Sequence, residues 1–144
     1  MKRILAIDYG RKRVGLAVTD MLQIIATALE TVHANEVLGY LAKYTEIEPV
    51  ELFVIGMPKN LNNMPAEAAQ YVEPFIKQLK KKFPDIPIET IDERFTSKIA
   101  FRSMIDGGVK KMDRRNKETI DKVSAVIILQ SYLEARQIRN DRNI

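Results

Sequence analysis

The chain contains no cysteine and only one histidine, His33. Without cysteine there can be no disulfide, no thiolate nucleophile and no Cys-ligated zinc. One imidazole excludes histidine-rich metal sites and any mechanism that needs two histidines. Any metal held here must therefore be held by oxygen. Long hydrophobic runs are also missing. The start, Met1-Lys2-Arg3-Ile4-Leu5-Ala6-Ile7-Asp8, has a short apolar stretch that Asp8 ends after Ile7, too soon for the core of a secretory signal. The longest later run, Ala125 to Leu129, is far shorter than a membrane span. The expectation is a cytoplasmic protein with no membrane partner. An excess of one charge is nearly absent as well: 23 Lys and Arg face 19 Asp and Glu, a net charge of +4. So small a surplus permits a polyanionic partner, and where the charge lies decides the matter.

What is present fits one globular domain of 144 residues, 46% hydrophobic. We place that domain at residues 1–138, with a short C-terminal tail at 139–144. Ile4-Leu5-Ala6-Ile7 is a buried strand by its continuous apolar run. Val14, Leu16 and Val18 alternate with small or polar neighbours, which predicts a strand over 13–19 hairpinned to the first. Residues 24–32 suggest a third strand, with His33 at its end. Asn35 is a candidate cap for a helix reaching Glu48, with Val37, Leu38, Leu41 and Tyr44 on one face. Leu52-Phe53-Val54-Ile55 is a strand stopped by Gly56 and Pro58. From about Pro65, Ala69, Val72, Ile76, Leu79 and Phe83 recur at helical spacing. Ile86, Ile88 and Ile91 lead into a strand ending near Asp92-Glu93. Thr96 is a candidate cap for a helix to Asp106, and residues 109–117 read as a loop. A last helix over roughly 120–138 is apolar on most sides from Val123 to Leu133. This order implies a mixed five-stranded sheet with helices on both faces, an α/β fold. The crossovers make the first, fourth and fifth strands parallel.

Three acids sit at informative positions: Asp8 after the first strand, Glu93 at the end of the last, and Asp121 early in the most buried helix. The ends of adjacent parallel strands open on one crevice. Clustered carboxylates repel unless a cation lies among them, and oxygen ligands without His or Cys select Mg²⁺ or Mn²⁺. Two such ions activate a water and stabilise the leaving oxygen of a phosphodiester. Each acid also has a plain structural reading. Asp8 can cap a turn, Asp121 can complement a helix N-terminus, and Glu93 can pair with Arg94.

Basic residues gather on either side of these acids in sequence. Arg11, Lys12 and Arg13 follow Asp8. Residues 107–122 hold six Lys or Arg against three acids, among them Lys110, Lys111, Arg114 and Arg115. Such runs suit phosphate contacts, although a solvated surface is the ordinary fate of a charge run. Neither a G-x-x-x-x-G-K-[ST] loop nor a G-x-G-x-x-G turn is present.

Taken together these motifs resemble the YqgF/RuvX family. Asp8-Tyr9-Gly10-Arg11-Lys12-Arg13-Val14-Gly15-Leu16-Ala17-Val18-Thr19-Asp20 resembles its opening motif, and Gly56-Met57-Pro58 its Gly-Leu-Pro turn. Asp92-Glu93-Arg94-Phe95-Thr96-Ser97 is similar to its Asp-Glu-Arg-Leu-Thr signature. The stretch from Asp121 to Gln130 is similar to its final helix. The order is the family's, over about residues 1–135. The resemblance implies a ribonuclease H-like fold and a bacterial, cytoplasmic, metal-dependent nuclease. That nuclease is either a relative of Holliday-junction resolvases or an enzyme processing the 5′ end of precursor 16S rRNA. It implies an acidic triad of Asp8, Glu93 and Asp121, with Arg13 and Arg94 holding phosphate or orienting carboxylates. Asn63 stands where the family has glycine. Ser124 stands one turn after Asp121, where related resolvases often place a further acid; a hydroxyl there argues against a four-carboxylate site.

The leading expectation is thus a Mg²⁺- or Mn²⁺-dependent endonuclease. Its partner would be nucleic acid, precursor rRNA before branched DNA, and its state a monomer or a homodimer. A non-catalytic nucleic-acid or ribosome-assembly module is the alternative from another class. A nucleotide phosphotransferase of the same fold would need a second domain that 144 residues do not supply.

Overall fold

Ile4 to Ile7 carries no polar side chain and is completely buried. A stretch of that kind is stable only between two covering layers. In the computed structural model, which describes residues 2–57, 69–92 and 117–142, it forms the centre of the molecule. Strand β1 (Arg3–Tyr9) pairs antiparallel with β2 (Arg13–Thr19) and parallel with β4 (Val50–Met57). β3 (Ala26–His33) pairs antiparallel outside β2, and β5 (Ile88–Asp92) pairs parallel outside β4. The sheet order is β3-β2-β1-β4-β5, mixed and five-stranded as the element order predicts. Three helices lie among the described residues: α1 (Val37–Ile47), α2 (Ala69–Lys82) and α3 (Lys117–Arg142).

Strand alternation divides the core in two. Leu5, Ile7, Val14, Leu16, Phe53 and Ile55 face α1 and α2, meeting Val37, Leu41, Val72, Phe75 and Leu79. Ile4, Ala6, Ala17, Leu52 and Val54 face the opposite way and meet Ala125, Ile128, Leu129 and Tyr132 of α3. Helices therefore cover both faces. Among the described residues no helix is long and apolar enough to cross a membrane.

Several boundaries differ from the sequence expectation. β4 does not stop at Ile55 but runs through Gly56 to Met57, where parallel pairing to Ile91 and Asp92 continues to hold the backbone. α1 is preceded by Glu36, with no side-chain cap; Asn35 instead donates its N–H to His33 Nδ1 at 3.3 Å. The last helix begins at Lys117 and continues to Arg142, past the expected end at 138. Its polar end is tied down where Arg136 donates to Gln23 Oε1 at 2.8 Å. α2 begins at Ala69 and accommodates Pro74; the expected start near Pro65 lies outside the described residues. So do the helix expected from Thr96 to Asp106 and the loop residues 109–116.

The far end of the sheet from the candidate site is locked by one buried hydroxyl. The register shifts between Arg3 and Ile4, and the Ile4 N–H is taken by Thr19 Oγ1 at 2.9 Å. Arg3 adds a bond to the Thr19 carbonyl at 2.9 Å and an ion pair with Glu48 at 3.1 Å.

Candidate nucleic-acid site at the ends of the parallel strands

Asp8 lies on β1 beyond Ile4 and Ala6, so alternation puts it on the α3 face. Its partner across the antiparallel ladder is Gly15. On the other side, one step past the Ile7–Ile55 pair, stands Gly56, which continues the face of Val54. Asp8 is thus flanked on both sides by residues without a side chain. Neither neighbour sets a side chain beside this carboxylate, and strand pairing on both sides fixes its backbone. Gly56 pairs in turn with Ile91, which packs on the same face. Asp8, Gly56 and Ile91 therefore form a row across the ends of the three parallel strands, which is where open α/β sheets bind ligands.

The row also bears on the two acids that close β5. Ile88 packs with the α1/α2 cluster and Ile91 with the α3 cluster. Asp92 pairs with Met57, itself part of the α1/α2 cluster, and so falls on the face opposite Asp8. Glu93 lies outside the described residues, as do Arg94, Lys110, Lys111, Arg114 and Arg115.

α3 runs antiparallel to β1. Its later turns reach the start of the sheet, where the Tyr132 hydroxyl donates to Glu89 and Arg136 reaches Gln23. Burial and this hydrogen bond hold the Tyr132 hydroxyl above its ordinary pKa. Tyr132 is accordingly a core residue, as its helical spacing predicts, rather than an open stacking surface. Asp121 stands one turn before Ala125 and two turns before Ile128 along the helix. The helix therefore brings the backbone of Asp121 to the same end of the sheet as Asp8. The Asp121 side chain is outside the described part.

The basic hairpin stands beside this row. The Gly10 N–H donates to the Arg13 carbonyl at 3.0 Å, and the Ala34 N–H to the Lys12 carbonyl at 2.9 Å. Arg11 and Lys12 are exposed at the tip. Arg13 shares strand parity with Gly15 and Ala17, so it lies on the Asp8 face. Gly10, Arg11, Lys12 and Arg13 line a cavity of about 620 Å³. The fold thus places Asp8 and the basic hairpin at one end of the sheet, the end at which α3 begins.

Two features escaped the sequence reading. The paired glycines beside Asp8 become visible only when strand parity is combined with strand order. Tyr71 on α2, whose ring lies under Arg11, gave no signal because the two residues are far apart in the chain.

A carboxylate such as Asp8 offers the oxygen donors that suit a hard divalent cation. Among the described residues no group of three or more His, Cys, Asp or Glu is placed to hold a metal. Only Asp8 of the three expected acids has a described side chain.

Comparison with known proteins places nearly the whole chain among relatives. A protein from Phocaeicola vulgatus named "Putative pre-16S rRNA nuclease" is 56% identical over 137 residues, covering 95% of this chain and 99% of the relative. One of the same name from Porphyromonas gingivalis is 54% identical, covering 93% and 97%. Among solved structures, Thermus thermophilus RuvC in complex with a Holliday junction substrate superposes with a TM-score of 0.58 at 12% identity, covering 95% of this chain and 96% of that one. At that identity the likeness speaks for the fold, which is ribonuclease H-like. The family model described as "RuvX: Holliday junction resolvase" matches residues 2–135, and the chain belongs to that family.

Proposed function

We propose that this chain is a cytoplasmic, divalent-metal-dependent endonuclease that hydrolyses phosphodiester bonds in structured nucleic acid. Its proposed task is processing of the 5′ end of precursor 16S rRNA. One observation carries the reading: a strand-borne carboxylate, Asp8, stands between two glycines at the parallel strand ends, next to a hairpin tip of three basic residues. The names of relatives at 50–56% identity support it.

In this reading Asp8, Glu93 and Asp121 hold Mg²⁺ or Mn²⁺. The placement of Asp92 on the far face favours Glu93 as the acid that β5 contributes. When bound, the metal supplies an activated water and charge stabilisation at the cleaved phosphate. The chain's own residues do the rest. Asp8 contributes a negative charge on a strand paired on both sides. Arg13, on the same face, donates to the phosphate beside it. Arg11 and Lys12 hold the flanking backbone, and Arg94, Lys110, Lys111, Arg114 and Arg115 extend that basic surface. Such contacts position the substrate without reading its sequence.

The test is cleavage of precursor 16S rRNA and of a four-way DNA junction, each with Mn²⁺. Asp8→Asn and Asp121→Asn are expected to abolish cleavage while leaving nucleic-acid binding. Undiminished cleavage by either variant contradicts the assignment. A preference for the junction, with paired cuts from a homodimer, supports the resolvase activity named in the family description.

A further inference from the structure

The Arg11 guanidinium carbon lies 4.5 Å from the centroid of the Tyr71 ring. Tyr71 is in the first turn of α2, half-buried, while Arg11 is exposed. One turn further along α2, Phe75 is buried and stacks on Tyr9 with ring centroids 4.3 Å apart and planes 19° from parallel. The Tyr9–Phe75 pair already fastens the end of β1 to α2, so the core does not require a second aromatic contact at the tip. Arg11 is also among the residues that line the cavity of about 620 Å³ at the hairpin. A flat cation on an aromatic ring, with the cation also lining a cavity of basic residues, has the composition of surfaces that hold nucleobases.

We propose that Arg11 and Tyr71 form a stacking platform for one unpaired nucleobase, so that the protein grips a single-stranded segment next to the bond presented to Asp8. The proposal rests on the nuclease reading for the nature of the partner and narrows the substrate class. A base inside a duplex has its faces covered by its neighbours, whereas an unpaired base can turn out and stack. Arg11 is three residues from Asp8, at most about 10 Å of chain. The platform belongs to the α2 side of the sheet and Asp8 to the α3 side, with the hairpin tip between them. A strand crossing the sheet end passes Arg13 on its way from one to the other.

The experiment uses the full chain in EDTA, so that nothing is cut, with a single-stranded RNA carrying one 2-aminopurine. Binding is expected to quench the fluorophore. Tyr71→Ala should weaken single-strand binding about 5- to 100-fold and abolish quenching, while Tyr71→Phe keeps both. Arg11→Lys should reduce quenching but leave the salt dependence of binding unchanged, since it keeps the charge and loses the plane. Binding to the blunt duplex of the same sequence should not respond to Tyr71→Ala. The proposal is overturned if Tyr71→Ala binds the single strand as tightly as the parent, or if single strand and duplex weaken equally. Asp8→Asn separates the two readings. Cleavage that survives it sinks the nuclease assignment and leaves the platform. Cleavage that needs Asp8 but is accompanied by no Tyr71-dependent quenching sinks the platform alone.

Discussion

Adding one carbon to Gly10 tests how rigidly the basic hairpin is held against the strand ends. A Cβ on Gly10 falls 2.6 Å from the Arg13 carbonyl oxygen and 3.8 Å from its carbonyl carbon. Ordinary contact begins at 3.4 Å, so the overlap is 0.8 Å (3.4 less 2.6), and the atom in the way is backbone. Glycine is not required at this place for its conformational range, because no described glycine has a positive φ. It is required because the two strands of the hairpin approach so closely, with the Gly10 N–H bonded to the same Arg13 carbonyl at 3.0 Å.

Overpacking of this kind costs about 1–3 kcal/mol. The loss of glycine's freedom in the unfolded chain returns about 0.4–1 kcal/mol. The net expectation for Gly10→Ala is a destabilisation of about 1–2 kcal/mol, or a fall in Tm of roughly 3–8 °C for a chain of this size. Cleavage should fall further than stability accounts for, by about 10- to 100-fold, because the displaced carbonyl belongs to Arg13, on the Asp8 face. Gly39→Ala is the matched control. It lies within α1 with nothing inside 4 Å of the added carbon, so it should stabilise by about 0.5–1 kcal/mol. Calorimetry and single-turnover cleavage read both effects. A Gly10→Ala protein with the parent's Tm and cleavage rate refutes the idea that a fixed hairpin supports the site.

Leu129→Ala removes a fully buried side chain where α3 meets β1 and β4, and should cost about 2–5 kcal/mol, measured by urea unfolding. Tyr132→Phe removes the bond to Glu89 but keeps the ring; Glu89 is exposed and can turn to water, so the loss should be about 0.5–1.5 kcal/mol, and a larger one contradicts that account. Asp20 accepts the Ile25 and Ile24 N–H groups at 2.8 and 2.7 Å, which holds its carboxyl below the usual value. A folded-state pKa lowered in this way stabilises above the unfolded pKa and is lost as pH falls through the folded one. The stability gap between the parent and Asp20→Asn should therefore be full at neutral pH and close below about pH 4; a gap independent of pH counts against it.

The sheet was legible because its strands are short apolar runs whose order allows few connections. Ile4–Ile7 and Leu52–Ile55 can only be buried on both faces, and the crossovers make them parallel. Helix ends were less legible, since tertiary contacts set them. The apolar pattern of the last helix stops at Leu133, yet Arg136 on Gln23 carries the helix on. Phe75 was hidden for another reason. It and Ile76 both fit the apolar stripe of α2, and only the Tyr9 ring above it decides that Phe75 is the buried one. Of the site, Asp8 could be read from its place after a strand. Its glycine neighbours could not, because Gly15 and Gly56 come to flank it only through antiparallel pairing on one side and parallel pairing on the other.

The two faces of the sheet differ in a way that serves the site. Toward α1 and α2 the central strands present Leu5, Ile7, Leu16, Phe53 and Ile55, whose bulk fills the space under two helices. Toward α3 the same strands present Ala6, Ala17, Gly15 and Gly56 among a few larger residues, and α3 answers with Ala125. Interaxial spacing follows the size of the side chains between the layers. Small side chains on that face favour a close approach of α3, which meets it with Tyr132, Leu129, Ile128 and Ala125. A bulkier face would lift that helix and widen the distance between its first turns and Asp8. Small residues thus recur on the α3 face of the sheet, and both strand neighbours of Asp8 are among them.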